Sequence, residues 1–359
     1  MPVNPITTLV FDWGDTLMQT FPEYGGAMAE WPRVAAMPGI STALAALAGQ
    51  YQMVVATNAS DSNAAQVRAA LQRVELSQYI DAIYTYAELG ARKPAVEFFH
   101  QTARLSGAPH GGLVMVGDLY AVDVIGAAQA GWNAVWYNPA GQPCPGALPL
   151  HAVELTDMAQ LPAALGRGFL PSVITCQAWL VQHGGSFALW QHVQGVASAA
   201  YLMAVWLRQA GESVDPVLAH RGGLLHDVAK LAAGREEKIN HADLGGEILM
   251  KLNQPELAEI ASRHLLSKVE HPQDGPRTWE EKLVHFADKL IEGPRLVPLE
   301  TRLEALRQRY PRFADDITRH TPGLQRLQAK ICAPLGFPPD ELVPRLQNAL
   351  RGNKGGESR

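Results

Sequence analysis

Histidine and aspartate residues that suit metal binding are spread through the second half of the chain. His226 and Asp227 are adjacent in the segment GGLLHDVAK. Imidazole and carboxylate together suit borderline divalent metals such as iron, zinc, manganese or nickel. Adjacent residues on a helix point about 100° apart, so this pair can approach one metal from two directions. The further candidate ligands are His192, His241, His264 and Asp288.

The candidate ligands occur on segments whose apolar residues follow helical spacing. Asp215 followed by Pro216 predicts the cap and first turn of a helix that leads to the His-Asp pair. Asn240 and Thr278 predict the caps of later helices that hold further candidates. Because the ligands belong to different helices, they must converge in the core of a helical bundle in order to bind one metal site.

A different pattern occupies the first half, where short apolar runs alternate with helical segments from Thr7 to Asn138. The runs TTLVF, QMVVATN, AIYTY, GLVMVGD and NAVWYN predict the strands of a buried parallel sheet. Ligands of such sheets bind beyond the carboxyl ends of the strands. Polar residues occur at those ends: Asp12, Thr57, Asn58, Asp118 and Asp123.

The two patterns predict an α/β fold followed by an all-α fold, with a Rossmann-like parallel sheet first and a helical domain second. At 359 residues the chain is long enough for two cores. The segment NPAGQPCPGALPL, rich in Pro and Gly, follows the last apolar run, and Gly166 to Gly168 is the expected hinge. We expect domains over residues 1–166 and 169–345, and a disordered tail over residues 346–359.

Composition restricts the partners and the compartment. The formal net charge is -5 at pH 7, which argues against a general nucleic-acid or anionic-membrane binder. Cys144, Cys176 and Cys332 are far apart, which fits a reducing cytosol better than a disulfide framework. We read neither a signal peptide nor a membrane span, so we expect a cytoplasmic protein with a small-molecule partner.

The first half resembles the haloacid dehalogenase-like hydrolase superfamily over about residues 5–165. FDWGDTL is similar to the first motif of that family, ATNAS to the second, the Lys93-Pro94 step to the third and VGDLYAVDVIGAAQAG to the fourth. The short connections after these motifs imply a minimal cap. A carboxylate attacks phosphorus only when a cation offsets like-charge repulsion. The implied roles are Asp12 as the phosphoryl-accepting nucleophile, Asp12 with Asp118 or Asp123 on Mg²⁺, Thr57 or Asn58 on the phosphate, and Lys93 as the screening charge.

The first motif departs from the family pattern at one position. The family usually places a second Asp two residues after the nucleophile, as general acid and base. Gly14 stands there in this sequence and Asp15 follows it. A side chain moved by one position points elsewhere, and proton transfer requires hydrogen-bond reach. Two alternatives stay open: an active phosphatase domain in which a re-shaped turn lets Asp15 serve, or an inactive scaffold.

The second half resembles the HD superfamily of metal-dependent phosphohydrolases over about residues 175–310. QHVQGV, LLHDVAK, INHADLGGEIL, ASRHLL and VHFADKLIE follow the order of the family motifs. The subgroup that the chain resembles most hydrolyses dinucleoside polyphosphates symmetrically. The resemblance implies two divalent ions (Fe, Mn, Ni, Co or Zn), with Asp227 bridging them, His192, His226 and Asp288 completing one site, and His241 and His264 completing the other.

These implied assignments predict phosphate chemistry for the second half. A hydroxide held between two cations is a nucleophile at neutral pH, and the cations also neutralise phosphate oxygens. Lys230 follows Asp227 by about one helical turn, so we expect it at the same opening. Arg295 lies in the segment ADKLIEGPR, which resembles the last motif of the subgroup, and is therefore implied as a phosphate contact.

The expected function is metal-dependent hydrolysis of a phosphate ester or anhydride, of a nucleotide or dinucleotide, in the helical domain. Two other classes stay open: a di-iron oxygenase of HD type, and a non-catalytic regulator that binds nucleotide or metal. Lys230 and Arg295 favour phosphate chemistry. Among the ligands, His264 has an alternative in His271, and His285 is expected at the surface.

Overall fold

The computed structural model describes residues 6–233 and 240–351, apart from the side chain of His110. Helices account for most of the second half, whereas the first half alternates strands with helices. Among the residues so described, no helix combines the length and the apolar character that are needed to cross a membrane.

The chain divides into two compact units. The first extends to Ala140 and includes Leu150–Phe169, whereas the second comprises Gly141–Pro149 and the chain from Leu170 onward. The start of the second unit therefore lies close to the predicted hinge. The loop Gly141–Pro149, however, belongs to the second unit, although its position in the sequence predicts the first domain.

Side-chain hydrogen bonds attach the loop Gly141–Pro149 to the second unit. Tyr201 Oη accepts a hydrogen bond from Cys144 N at 2.9 Å. Gln209 Nε2 donates to the carbonyl oxygen of the first loop residue, also at 2.9 Å. The partners are separated by 57 and 68 positions, so that local sequence patterns do not indicate these contacts.

A parallel sheet forms the centre of the first unit. Its strands in the described part of the chain are β1 (Thr8–Phe11), β2 (Gln52–Ala56), β3 (Ala82–Tyr84), β4 (Leu113–Gly117), β5 (Asn133–Tyr137) and β6 (Val153–Leu155). They pair in the order β3-β2-β1-β4-β5-β6, and all neighbouring strands are parallel. The predicted Rossmann-like parallel sheet is therefore confirmed.

Helices connect these strands. They are α1 (Ile40–Leu47), α2 (Ala64–Arg73), α3 (Tyr86–Leu89), α4 (Val96–Ser106), α5 (Ile125–Gln129) and α6 (Leu161–Arg167). Phe11, Val55 and Val116 are fully buried, as is typical of the continuous apolar strands of a parallel sheet. Between β1 and α1 the chain has a short 3-10 turn, Met28–Glu30, and isolated β-bridges, which agrees with the predicted minimal cap.

The second unit is built from helices. They are α7 (Val173–Gln182), α8 (Phe187–Gln209), α9 (Pro216–Leu225), α10 (Lys230–Ala233), α11 (His241–Lys251), α12 (Pro255–Arg263), α13 (Trp279–Asp288), α14 (Leu299–Arg309), α15 (Ala314–Leu335) and α16 (Leu342–Leu350). A small antiparallel hairpin of β7 (Ile291–Glu292) and β8 (Arg295–Leu296) separates α13 from α14. The predicted helical domain is confirmed, with this hairpin as an addition.

The predicted helix caps are present. Asp215 Oδ1 accepts a hydrogen bond from Val217 N at 2.8 Å at the start of α9. Asn240 and Thr278 accept comparable bonds from backbone N–H groups of α11 and α13, at 2.9 and 3.2 Å. Because a capped terminus fixes where a helix begins, these residues set the register of helices that carry the candidate ligands.

The last helix extends into the segment predicted as a disordered tail. Residues up to Leu350 are helical, and Leu346 is fully buried. The tail prediction is therefore wrong for residues 346–350, because the apolar face of α16 packs into the core. Residues 352–359 of the predicted tail lie outside the described residues.

Candidate metal centre

The candidate ligands of the second unit come together at or near the ends of its helices. Each helix contributes through a position that helix packing directs toward a common point. The positions are His192 in the second turn of α8, His226 and Asp227 directly after α9, His241 at the first position of α11, His264 directly after α12 and Asp288 at the last position of α13.

One group of candidate ligand atoms includes oxygens of both aspartates. Asp288 Oδ1 lies 3.0 Å from His192 Nε2 and 3.7 Å from His226 Nε2. Asp227 Oδ2 lies 3.4 Å from His226 Nε2 and 3.9 Å from His192 Nε2. These four residues are buried, so that their donor atoms face one another rather than solvent.

The other group uses the second oxygen of the same aspartate. Asp227 Oδ1 lies 3.3 Å from His241 Nε2 and 3.4 Å from His264 Nε2. The two imidazole Nε2 atoms are 3.1 Å apart. The oxygens of Asp227 therefore face two separate sets of imidazole nitrogens.

The backbone orients two of the imidazoles. His226 Nδ1 lies 2.8 Å from Gly223 O, and His264 Nδ1 lies 2.6 Å from Ala261 O. When Nδ1–H donates to these carbonyls, each Nε2 keeps its lone pair for a metal. Among the described residues, His226 Nε2 and Asp227 Oδ1 are buried without a hydrogen-bond partner. Buried donor atoms of this kind fit a bound divalent cation.

Burial and neighbouring charges shift the pKa values of the cluster. Burial disfavours the charged form of His226, but the Asp227 and Asp288 carboxylates outweigh it and raise its pKa to about 9. Burial lowers the pKa of His264 to about 4. Burial opposes ionisation of Asp227, but the charges of His226 and Lys230 hold its pKa well below the ordinary value. An ionised carboxylate and a neutral imidazole are the forms that bind metals, so a bound metal ion would displace a proton from His226.

Close packing of α9 against its neighbours sets the position of the His-Asp pair. A Cβ atom at Gly223 would lie 2.5 Å from Ala197 Cα in α8. A Cβ atom at Gly222 would lie 2.7 Å from Ile260 Cδ1 in α12. Glycine at both positions therefore lets α9 approach two ligand-bearing helices closely.

The first unit holds a separate group of carboxylates at the carboxyl ends of β1 and β4. Because these strands are adjacent, Asp12 and Asp118, each one residue past its strand, come together with Asp123. One oxygen of each carboxylate lies within 4.8 Å of the others. Lys93 Nζ is 2.5 Å from Asp12 Oδ1 and 2.7 Å from Asp123 Oδ1. The sheet order thus assembles residues that are far apart in sequence.

Burial raises the pKa values of two of these carboxyl groups. Burial raises the pKa of Asp118 to about 6, and the charge of Asp12 adds to the effect. Burial raises the pKa of Asp123 to about 7, although the charge of Lys93 acts in the opposite direction. A divalent cation would relieve this repulsion, and a set of carboxylate oxygens suits Mg²⁺. The residues therefore fit the ion that the resemblance implies.

Comparisons with known proteins match the segments that hold both groups of residues, although Asp12 lies just before the first matched segment. Residues 14–131 match the family model described as haloacid dehalogenase-like hydrolase, and residues 189–292 match the model of the HD domain. The chain joins a dehalogenase-like hydrolase domain to an HD domain. Both families are metal-dependent, and the two domains support phosphohydrolase chemistry of a general kind.

Individual relatives match parts of the chain. A protein of Methanocaldococcus jannaschii described as uncharacterized, MJ0778, is 34% identical over 140 residues, which are 36% of this chain and 81% of that protein. Ribonuclease Y of Desulforudis audaxviator is 33% identical over 137 residues, covering 38% of this chain and 24% of that enzyme. N-acylneuraminate-9-phosphatase of Mus musculus is 32% identical over 99 residues, covering 27% of this chain and 40% of that enzyme. The chain thus spans less than half the length of this Ribonuclease Y and of this N-acylneuraminate-9-phosphatase.

A cavity of about 820 Å³ opens onto the candidate metal ligands of the HD domain, which we call the metal cluster. Lys230 lines it, with Nζ 2.5 Å from Asp227 Oδ2 and with 42% of the side chain exposed. Lys289 also lines it, in contact with the Asp288 carboxylate and with Nζ 3.3 Å from His264 O. Lys230 therefore lies at the opening where its helical spacing predicts it, and Lys289 is an addition that the motifs did not single out.

The predicted phosphate contact Arg295 does not lie at this cavity. It is exposed in β8, because that strand pairs with β7 and carries the side chain to the surface. Arg302 and Arg309 line the cavity instead, and both contact the carboxylate of Glu292. Arg302 and Arg309 are seven residues apart, so the helical periodicity of α14 places them on one face. That spacing predicts that the two arginines share a face of α14, but it does not indicate that this face lines the cavity.

Two expectations about other histidines of the HD domain are settled by their burial. His271, considered as an alternative ligand, has a half-exposed side chain, and its Nδ1 accepts from Asp274 N at 3.0 Å. His264 and not His271 therefore joins the cluster. The surface position expected for His285 is wrong: its side chain is fully buried because α13 is buried around its circumference, and burial lowers its pKa to about 3.

A smaller cavity, of about 330 Å³, adjoins the carboxylates of the dehalogenase-like domain. Thr57 and Asn58 both line it, as their place after β2 predicts. Asn58 Oδ1 accepts from Lys93 N at 2.8 Å, and Asn58 Nδ2 donates to Lys93 O at 2.9 Å. The Asn58 amide thus holds the backbone that carries Lys93. Thr57 Oγ1 accepts from Ala59 N at 3.1 Å, which leaves its hydroxyl proton to donate.

The turn after the nucleophile position has an unusual shape. Asp15 has a φ of 52°, in the left-handed region, and its Oδ1 accepts from Thr20 N at 2.9 Å. Its other carboxylate oxygen accepts from the Thr20 hydroxyl. Asp15 lines the same cavity as Asp12. The turn therefore places Asp15 at the cavity although Gly14 occupies the usual position, and Thr20 binds both oxygens of its carboxylate.

Proposed function

We propose that the HD domain hydrolyses a phosphate ester or anhydride of a nucleotide or dinucleotide with the help of two divalent cations, drawn from Fe, Mn, Ni, Co and Zn. The position of Asp227 carries this proposal, because its two oxygens face two separate sets of imidazoles. A carboxylate shared in this way suits a pair of neighbouring metal ions. The buried and unpartnered atoms His226 Nε2 and Asp227 Oδ1 support the same assignment.

The candidate ligand atoms divide into two sets, one for each ion. Bound cations would activate a water molecule at neutral pH and neutralise phosphate oxygens. The backbone carbonyls that accept from Nδ1 fix the direction in which each Nε2 points. In this proposal His192, His226, Asp288 and Asp227 Oδ2 hold one ion, and His241, His264 and Asp227 Oδ1 hold the other.

The lysines and arginines of the cavity suit a phosphorylated substrate. Lys230 places a half-exposed ammonium group beside Asp227, where it meets a phosphate oxygen of a bound substrate. Lys289 contacts Asp288 and keeps that carboxylate ionised. The cavity of about 820 Å³ lies in the range of roughly 300–1,000 Å³ that is typical of small-molecule sites. These features favour a substrate of nucleotide size.

We also propose Mg²⁺-dependent phosphatase activity for the dehalogenase-like domain. The observation that favours it is the presence of Asp15 in the cavity that adjoins Asp12. Asp15 then acts as acid and base in place of the residue that Gly14 replaces. Asn58 positions the Lys93 loop rather than the phosphate. The remaining roles are Asp12 as nucleophile, Asp12, Asp118 and Asp123 as ligands of Mg²⁺, Lys93 as the screening charge, and Thr57 as the phosphate contact.

The HD-domain proposal is tested by elemental analysis of the purified chain and by phosphate release from a panel of mono- and dinucleotides with Mn²⁺. We expect His226→Ala to lose both bound metal and turnover. His271→Ala, which changes an exposed histidine outside the cluster, is the matched control and is expected to resemble the wild type.

Each contrary outcome has a distinct meaning. Metal and turnover retained in His226→Ala would remove the proposal. Oxygen uptake with Fe²⁺ but no phosphate release would assign the site to the di-iron oxygenases of HD type. Tight nucleotide binding without any product after long incubation would indicate a regulator instead.

A further inference from the structure

Two aromatic side chains line the HD-domain cavity. Tyr310 directly follows α14 and Phe313 directly precedes α15, and we call this pair the aromatic corner. Phe313 N donates to Tyr310 O at 2.9 Å, so a tight turn holds the two residues together. Their side chains are 43% and 45% exposed, and both line the cavity onto which the metal cluster opens.

Both exposed rings lie at the cavity where a ligand would bind. Of the large apolar side chains that are exposed in the described residues, Tyr310, Phe313 and Leu231 line this cavity, and the others lie elsewhere. An aromatic ring that faces a concave site shared with polar groups is a typical ligand contact. Solvent exposure of the aromatic corner is therefore explained when a ligand covers it.

The aromatic corner and the metal cluster face the same cavity. Tyr310 and Phe313 line it together with Lys230, Asp227 and His241. Lys230 Nζ is 2.5 Å from Asp227 Oδ2. A ligand that fills this cavity can therefore contact both the corner and the cluster.

Positive side chains line the cavity together with the aromatic corner. Arg312 places its guanidinium carbon 4.8 Å from the centroid of the Phe313 ring, and Arg309 lines the cavity one residue before Tyr310. A ligand that matches this cavity carries negative charge for these arginines and for Lys230, and a planar ring for the corner. Guanidinium groups bind phosphate oxygens, and aromatic rings stack on the π-faces of bases.

We infer that the aromatic corner binds the base of a nucleotide whose phosphates lie at the metal cluster. This inference rests on the proposed phosphohydrolase function of the HD domain. Tyr310 and Phe313 are then the residues that select a nucleotide over a phosphate chain without a base. Stacking accepts every base, so the corner distinguishes nucleotides from other phosphates rather than one nucleotide from another.

The test compares adenosine triphosphate with inorganic tripolyphosphate, which has the same anhydride bonds but no base. We expect Tyr310→Ala combined with Phe313→Ala to lower the ratio of the two kcat/KM values about tenfold, which corresponds to about 1.4 kcal/mol. Tyr310→Phe keeps an aromatic ring and is expected to keep the ratio. Tyr86→Ala, at a tyrosine that is 48% exposed in the other domain, is the matched control.

Binding measured by calorimetry separates the inference from the proposed function. A wild-type chain that prefers adenosine triphosphate over tripolyphosphate, and a double variant that loses this preference, support the corner even when neither compound is hydrolysed. Hydrolysis with an unchanged substrate ratio in the double variant overturns the inference and leaves the function standing. An equal loss for both compounds, in binding and in turnover, assigns the corner a structural role and also overturns the inference.

Discussion

Removal of the shared carboxylate and removal of one outer imidazole should affect the HD domain differently. Asp227 faces both groups of imidazoles, whereas His241 belongs to one group. We expect about two divalent ions in the wild type, about one in His241→Ala and none in Asp227→Ala, since a shared carboxylate serves both ions. The perturbations are comparable because each removes one polar side chain from the same cluster.

The expected magnitudes follow from linkage between ion binding and folding. At a free metal concentration 100 times Kd, each site stabilises the folded state by about 2.7 kcal/mol, so two sites contribute roughly 5 kcal/mol. For a domain of about 150–250 residues, 1 kcal/mol corresponds to about 2–4 °C in Tm. Chelation should therefore lower the Tm of the HD domain by roughly 10–20 °C in the wild type, by about half of that in His241→Ala, and hardly at all in Asp227→Ala.

Scanning calorimetry of the full chain with and without a chelator, together with elemental analysis, measures both quantities. His271→Ala should behave as the wild type because its imidazole is half-exposed and outside the cluster. The reasoning is refuted when Asp227→Ala retains two ions, or when chelation lowers the Tm equally in the wild type and in all three variants.

Two further predictions concern the other domain and the packing of α9. Asp12→Asn should abolish Mg²⁺-dependent release of phosphate from a generic phosphomonoester and spare nucleotide hydrolysis by the HD domain; joint loss of both activities, or of neither, contradicts the assignment. Gly223→Ala should lower the free energy of unfolding in urea by about 1–3 kcal/mol, because its Cβ would lie 2.5 Å from Ala197 Cα. Gly166→Ala, where a Cβ meets nothing within 4 Å, is the matched control, and an equal loss there would contradict the packing argument.

The parts of the fold that local patterns encode could be predicted from the sequence. Continuous apolar runs predict the strands of the parallel sheet, and Asp215, Asn240 and Thr278 predict helix starts because a cap acts within one turn. The strand order then brings Asp12 and Asp118 together, since both follow neighbouring strands at the same edge. Candidate ligands found at helix ends and strand ends are thus accessible to sequence reasoning.

The parts that depend on packing between distant segments could not be predicted in the same way. Arg295 follows a family-like motif, but the pairing of β7 with β8 directs it to the surface. Arg302 and Arg309 line the cavity through the placement of α14, which no local motif specifies. His285 is buried because other elements cover α13 on the side that its own sequence leaves polar. Wall residues of a cavity are therefore the weakest part of a prediction from one sequence.

The two sites pair a lysine with aspartate in different ways, and burial decides what each lysine can do. The side chain of Lys93 is 1% exposed, and its Nζ contacts both Asp12 and Asp123. Displacing it would leave buried carboxylates without their countercharge, which is costly, so Lys93 suits a fixed screening role. The side chain of Lys230 is 42% exposed beside Asp227. Its ammonium group already reaches solvent, so it can exchange the carboxylate for a substrate phosphate with little desolvation, which suits a binding role.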